Sequence, residues 1–307
     1  MYIEENLMHL FLATPRGFCA GVVRAIEIVE KSLGVFGAPI YIKHQIVHNK
    51  YVVQDLESKG AITVNEISDV PNDSVVIFSA HGSPPVDYEI AKSKNIKIID
   101  ATCPLVIKVH NEAIKYSKEG KKIILLGHQE HQEVIGTMGQ TDMILVDDRQ
   151  KNNIPEFDAE EKIVVLSQTT LSVEDTKQIS NSIKDKYKNS ILRNDICYAV
   201  SNRQKAVKSL SRLVEMIIVV GSENSSNCVR LKEVSENYGT KSYLLNSVDE
   251  IKNLNLKNIS NIGITSGAST PEILIDEFIN QLKPSKITTV GDKEREINFV
   301  LPSELKA

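Results

Sequence analysis

Short apolar runs recur along this chain, and most of them end in a polar loop. His9–Thr14, Ile40–His44, Val75–Phe78, Ile96–Asp100, Ile123–Leu126, Met143–Val146, Ile163–Leu166, Ile191–Asp195, Ile217–Val220 and Ile262–Thr265 read as strands, several of them apolar throughout, as buried strands are. Between them lie stretches with helical spacing. Ala25, Ile28, Val29 and Leu33 mark one over 22–35, and others cover 84–94, 104–119, 199–215 and 272–282. Further helices run through Val52 and Leu56, after Ser172 and from near Cys228; Ser172 is a helix cap, with Glu174 and Asp175 in the first turn. Ile287–Val290 and Ile297–Val300 predict a closing strand pair, residues 1–8 a polar extension, and 147–161 a peripheral polar loop. Strands alternating with helices predict an α/β fold of mostly parallel sheets covered by helices. Sites in such folds gather at the C-terminal ends of the strands.

The stretch that organises the rest is Asp100-Ala-Thr-Cys-Pro-Leu-Val106. A strand ends there in a turn carrying Cys103, and Pro104 opens the next helix, where a missing N–H costs nothing. A thiol at such a turn lies where the helix terminus favours negative charge, which suits a thiolate. Cys19 and Cys197 occupy the same kind of turn, the first between Gly17 and Gly21. The polar loops downstream of each cysteine also repeat. His48, His131 and Ser225 lie 29, 28 and 28 residues after the respective cysteines, and His81, Thr169 and Ser269 lie 62, 66 and 72 after them. The spacing predicts three copies of one α/β unit, each giving one cysteine and two polar loops to a shared centre. Their bounds are 20–103, 104–196 and 197–307, the last completed by residues 1–19 and a C-terminal tail.

Composition narrows the function. A net charge of −4 over 307 residues leaves no basic footprint for nucleic acid. No apolar run approaches the roughly 20 residues of a membrane span. Met1-Tyr-Ile-Glu-Glu-Asn6 lacks the basic start and apolar core of a signal peptide, so a cytoplasmic protein is expected. In a reducing compartment, four cysteines favour metal binding or catalysis over disulfides.

Three thiolates from distant loops suit a metal centre. No CxxC is present, so the common zinc-ribbon and ferredoxin spacings fail. Three cysteines on a cubane iron–sulfur cluster leave one iron without a protein thiolate. That iron can take an oxygen ligand and act as a Lewis acid while the cluster supplies electrons. Zinc held by three thiolates and a water is the inorganic alternative. Cys228 breaks the pattern near the start of a helix and is expected to be structural. Gly221-Ser-Glu-Asn-Ser-Ser-Asn227 offers hydroxyls, an amide and backbone N–H groups to an anion. His48, His81 and His131 in matched loops suggest an anion of diphosphate size, whereas His9, His44, His110 and His128 read as structural or supporting. Glu133 is the carboxylate candidate for proton delivery, and Thr169 could orient a substrate hydroxyl or relay a proton. The residues alone leave rivals open: a zinc hydrolase acting on a phosphorylated substrate, a phosphometabolite-binding or iron–sulfur sensor module, and Cys19 as a covalent nucleophile.

At these residues the sequence resembles the 4-hydroxy-3-methylbut-2-enyl diphosphate reductase family, over about residues 9–304. The resemblance rests on Pro15-Arg-Gly-Phe-Cys-Ala-Gly21, Val47-His-Asn49, Phe78-Ser-Ala-His-Gly82, Asp100-Ala-Thr-Cys-Pro-Leu-Val106 and Gly136-Thr-Met-Gly139 in the first half. Gln168-Thr-Thr-Leu-Ser172, Ile196-Cys-Tyr-Ala199, Asn202-Arg-Gln204, Asn224-Ser-Ser-Asn227 and Gly267-Ala-Ser269 carry it in the second. It implies a trefoil of three similar α/β domains around a central iron–sulfur site. Cys19, Cys103 and Cys197 would hold a [4Fe–4S] cluster. His48, His81, His131, Ser225, Ser226, Asn227 and Ser269 would hold the substrate, mainly its diphosphate. Thr169 and Glu133 would serve the substrate hydroxyl. The implied reaction is the last step of the methylerythritol phosphate route to isoprenoids, reductive dehydroxylation to isopentenyl and dimethylallyl diphosphate. In it the open iron binds the C4 oxygen and Glu133 donates the proton for loss of water. A ferredoxin or flavodoxin would donate electrons to a monomer or homodimer, with no nucleic-acid or membrane partner.

Three positions depart from the family pattern. Val200 stands where a threonine is common, Gln132 where a proline is common before the acid, and Gly82-Ser-Pro-Pro85 differs from the usual segment after the histidine. None removes an expected ligand or acid; rate and product ratio are what they affect.

Overall fold

The computed structural model describes residues 8–147, 149, 154–158 and 160–305. The first stretch contains β1 (His9–Ala13), α1 (Ala20–Phe36), β2 (Ile40–Lys43), α2 (Lys50–Ser58), β3 (Ala61–Val64), β4 (Val75–Phe78), α3 (Pro85–Ser93) and β5 (Lys97–Asp100). Next come α4 (Pro104–Lys118), β6 (Lys122–Leu126), α5 (Gln132–Met138), β7 (Ile144–Val146), β8 (Ile163–Ser167), α6 (Val173–Lys186) and β9 (Ile191–Leu192). The last stretch holds α7 (Tyr198–Leu210), β10 (Met216–Val220), α8 (Ser226–Asn237), β11 (Lys241–Leu245), β12 (Asn261–Ser266), α9 (Glu272–Leu282) and β13 (Lys286–Val290).

Three sheets result, and every strand pair in them is parallel. Their orders are β3-β2-β4-β5, β7-β6-β8-β9 and β11-β10-β12-β1-β13. The first four positions correspond one to one, so the repeat seen in the sequence is a repeat of topology. Packing groups the third sheet with its helices in one compact unit, made of the residues through Cys19, His48–Lys50 and Tyr198–Ile297. The first and second sheets lie in the other, made of Ala20–Val47, Tyr51–Cys197 and the residues from Asn298 onward.

The central strands are apolar without alternation because both faces are covered. In β10, Ile218 and Val220 pack with Leu10, Ile264 and Phe278, while Ile217 and Val219 pack with Val207, Leu210 and Leu231 on the opposite face. In β6, Ile124 and Leu126 face Ile179 and Ile183, and Ile123 and Leu125 face Val109 and Ala113. Each such Ile or Leu contributes about 1.5–3 kcal/mol by leaving water.

Several expectations change. Residues 297–300 form no strand; β13 instead joins the third sheet alone, parallel to β1. The expected helix 199–215 ends at Leu210. The strands β3 and β11 are additions to those that the apolar pattern predicts. Most of the expected extension at 1–8 lies outside the described residues, but Met8 is buried with Leu10 and Leu12. Part of the 147–161 segment also lies outside them. Ile154 and Phe157, which are described, pack on the second sheet's core, and the Phe157 N–H donates to the Tyr187 hydroxyl at 2.9 Å. That part is not peripheral.

Candidate active site

The polar loops stand at the C-terminal ends of the parallel strands, and one local device sets each cysteine. The strand before the cysteine (β5, β9 or β1) pairs with the strand before a polar loop (β4, β8 or β12). The cysteine N–H then donates to that loop's backbone: Cys103 to the Ala80 carbonyl at 3.0 Å, Cys197 to Thr169 at 3.0 Å, Cys19 to Ala268 at 3.1 Å. None of the three cysteines is in a disulfide, and all are partly exposed. Cys103 is the N-cap residue of α4, with Pro104 in its first turn. Asp100 fixes that turn by accepting from the Thr102 N–H at 2.8 Å and from the Tyr88 hydroxyl at 2.7 Å.

In the unit holding Cys103 and Cys197, α5 carries Glu133. His131 is its N-cap residue, and the ring Nδ1 accepts the Glu133 N–H at 3.2 Å. The Glu133 side chain is thereby turned inward and fully enclosed. Its Oε1 accepts the Thr169 N–H at 2.6 Å and its Oε2 the Thr169 hydroxyl at 3.0 Å. Burial pushes the Glu133 carboxyl up to about 7, against the two Thr169 hydrogen bonds, with a further upward contribution from Asp195. The His81 and His131 rings stand edge to face, 5.9 Å between centroids. Glycines permit this approach. A Cβ on Gly136 would lie 3.0 Å from the backbone of Gly82, beside His81, so α5 packs directly on that loop. Cys103, His81, His131, Glu133, Thr169 and Cys197 are thus linked by successive contacts in one unit.

The unit with Cys19 holds His48, Ser225, Ser226, Asn227 and Ser269. The Ser269 hydroxyl donates to the His48 carbonyl at 3.1 Å, which fastens the His48–Lys50 segment to the loop after β12. Ser225 caps α8 by accepting the Cys228 N–H, and Ser226 and Asn227 follow in the first turn. Asn227 is buried, yet neither its side-chain nitrogen nor its oxygen has a partner among the described residues. An unpartnered buried amide beside a helix N-terminus is a group prepared for a polar ligand. Cys228 is fully buried against Gly221 and Gly267, where a Cβ at either glycine would overlap its sulfur. Burial also pushes its thiol pKa up, which suits packing.

A family profile described as LytB protein matches residues 10–283. The chain is 46% identical to 4-hydroxy-3-methylbut-2-enyl diphosphate reductase 2 of Bradyrhizobium diazoefficiens, over 98% of this chain and all of that one. It is 44% identical to the 4-hydroxy-3-methylbut-2-enyl diphosphate reductase of Pseudomonas aeruginosa, over 97% and 99%. Among solved structures, the E-1-hydroxy-2-methyl-but-2-enyl-4-diphosphate reductase of Plasmodium falciparum superposes with a TM-score of 0.93 at 38% identity, covering 98% of this chain and 97% of that one. The chain belongs to the LytB family. It is accordingly an enzyme, an oxidoreductase of isoprenoid biosynthesis. Among the described residues, no helix is long and apolar enough to cross a membrane.

The LytB donor set fits an iron–sulfur cluster. Three cysteines outside any disulfide stand on equivalent turns, each with its own N–H already engaged. Cluster thiolates each bind a different iron, which suits thiols on separate turns.

The sequence reading missed one supporting group. Asp195, two residues before Cys197, is buried, accepts the Ser167 N–H at 3.2 Å and influences Glu133. Its register with Asp100, three residues before Cys103, was the available signal. His110, expected to be structural or supporting, is buried; its Nε2 has no partner among the described residues, and its pKa falls to about 4, chiefly through burial. It backs Gly82, whose Cβ would lie 2.8 Å from the ring.

Proposed function

We propose that this chain reduces (E)-4-hydroxy-3-methylbut-2-enyl diphosphate to isopentenyl and dimethylallyl diphosphate, with Cys19, Cys103 and Cys197 holding a [4Fe–4S] cluster. Bound there, the cluster would supply single electrons and one iron with no cysteine ligand, able to polarise the substrate oxygen. The reaction takes up two electrons and two protons and releases water.

Glu133 is the observation that carries the reading. An acid must be protonated near neutral pH to help a hydroxide leave as water, and burial keeps this carboxyl protonated far above its usual range. Its Oε2 proton would pass to the C4 oxygen directly or through the Thr169 hydroxyl, which is 3.0 Å away. His48, His81, His131, Ser225, Ser226, Asn227 and Ser269 would orient the diphosphate, with Asn227 gaining the partners it lacks. Enclosure of Glu133 would also exclude bulk water from the proton path. A ferredoxin or flavodoxin is the proposed electron donor. Four cysteines outside any disulfide fit the reducing cytoplasm as the place of action.

The test is anaerobic purification followed by visible and Mössbauer spectra, with and without the hydroxylated allylic diphosphate. A four-iron cluster with one distinct iron that shifts on adding substrate is expected. A colourless protein with stoichiometric zinc would overturn the proposal.

A further inference from the structure

The helix that follows each cysteine carries a cation, and that cation reaches the turn of a different cysteine. Arg24, five residues after Cys19, donates from its Nη1 to the Ala101 and Thr102 carbonyls at 3.2 and 3.1 Å, just before Cys103. Lys108, five after Cys103, reaches the Asp195 carboxylate at 3.4 Å, two residues before Cys197. Arg203, six after Cys197, donates from its Nη2 to the Gly17 carbonyl at 2.8 Å, two residues before Cys19. The three contacts close a cycle, with each cation aimed at the same place in the next turn.

Packing alone does not explain the residue types. Arg203 is fully buried; it also donates to Ala199 at 2.8 Å, its nearest carboxylate oxygen, on Glu294, is 3.6 Å away, and its Nε–H has no partner among the described residues. Arg24 is buried as well, and its Nε donates to the Val300 carbonyl at 2.8 Å. Burial works against the Arg24 charge, while Asp100 and Cys103 nearby favour it. Burying a guanidinium mainly on carbonyl oxygens is costly. A neighbouring anion offsets that cost, and three thiolates on an iron–sulfur core are net negative.

We propose that Arg24, Lys108 and Arg203 are positioning residues for the cluster, each setting the turn of one cysteine and together balancing the cluster's negative charge. This rests on the cofactor reading above. Net charge and hydrogen bonding near a cluster set its reduction potential. Removing a cation therefore makes the cluster harder to reduce, and loosening a turn releases iron faster.

The experiment compares anaerobic holoenzyme carrying Arg24→Gln, Arg24→Lys, Lys108→Gln or the control Lys115→Gln, which lies farther along the same helix as Lys108 with an exposed side chain. Midpoint potential is titrated with redox dyes, and iron loss to a chelator is followed by colour. The expectation is a more negative potential and several-fold faster iron loss for Arg24→Gln and Lys108→Gln. Arg24→Lys should recover the potential while iron loss stays fast, because charge is kept and the planar fork is lost. Potentials for Arg24→Gln and Lys108→Gln equal to that of Lys115→Gln would overturn the proposal, whatever happens to stability. If Arg24→Gln does not fold, Lys108→Gln decides, since its side chain is 47% exposed. A wild-type protein without iron would instead overturn the reading on which this one stands.

Discussion

Glu133→Gln removes the proposed proton while keeping the shape of the side chain. At pH 7 a carboxyl with the ordinary value of 4.5 is protonated in about 0.3% of molecules, and one at about 7 in about half. Burial thus raises the loaded fraction by a factor on the order of 150. The direction is fixed: an acid that must carry its proton works below its pKa and fails above it. The single-turnover rate of reduced enzyme, measured from about pH 6 to about pH 9, should be level below about 7 and fall tenfold per unit above. Glu133→Gln should retain cluster and substrate binding, lose most turnover, and show no such limb. Thr169→Val deletes a hydrogen bond that favours the carboxylate, so its limb should move to higher pH. The same burial touches stability. The folded state holds this proton more tightly than the unfolded chain, so its contribution is fully present below about 4.5 and is lost as pH rises through about 7, roughly 3 kcal/mol in all. A limb near pH 5, a limb that survives in Glu133→Gln, or near-normal rates in that variant would refute the assignment.

Asn227→Ala deletes no side-chain hydrogen bond among the described residues, so the melting temperature should hold while KM rises about tenfold or more; an unchanged KM would separate Asn227 from the diphosphate. Lys43→Met strands the buried Asp87 carboxylate and should cost about 3–5 kcal/mol in denaturant unfolding. Adding Asp87→Leu should restore most of that loss. Gly267→Ala drives a methyl into the Cys228 sulfur and should cost about 1–3 kcal/mol, partly recovered by Cys228→Ala. Cys228→Ser should keep full iron content, since its sulfur faces Gly221 and Gly267; loss of the cluster would make it a ligand.

Much of the fold was legible because both-face burial writes itself as uninterrupted apolar runs, as in Val75–Phe78 and Met216–Val220. β3 and β11 escaped for the opposite reason. Each is an edge strand, half wetted, so Ala61–Val64 and Lys241–Leu245 mix polar with apolar positions. Residues 297–300 alternate like a strand but join none of the three sheets. The candidate site was legible through spacing, since the same supersecondary unit returns each functional loop at nearly the same distance. What spacing could not carry was electrostatics. Glu133 as an acid near neutrality depends on enclosure by α5 and the Thr169 loop, which are 36 residues apart. Asp195 and Arg203 act through tertiary contacts that no local pattern encodes.

The third sheet takes β1 from the far end of the chain: His9 pairs with Asn261 on one side and Lys286 on the other. The strands of the other two sheets lie within continuous stretches of the chain, so each can close soon after its last strand is made. β1 has no partner until more than two hundred later residues exist. During synthesis the turn bearing Cys19 must therefore wait, exposed, while those of Cys103 and Cys197 take shape. The thiol that comes first in the sequence is the last to be put in place, so assembly of the proposed three-thiolate centre waits for β12 and β13.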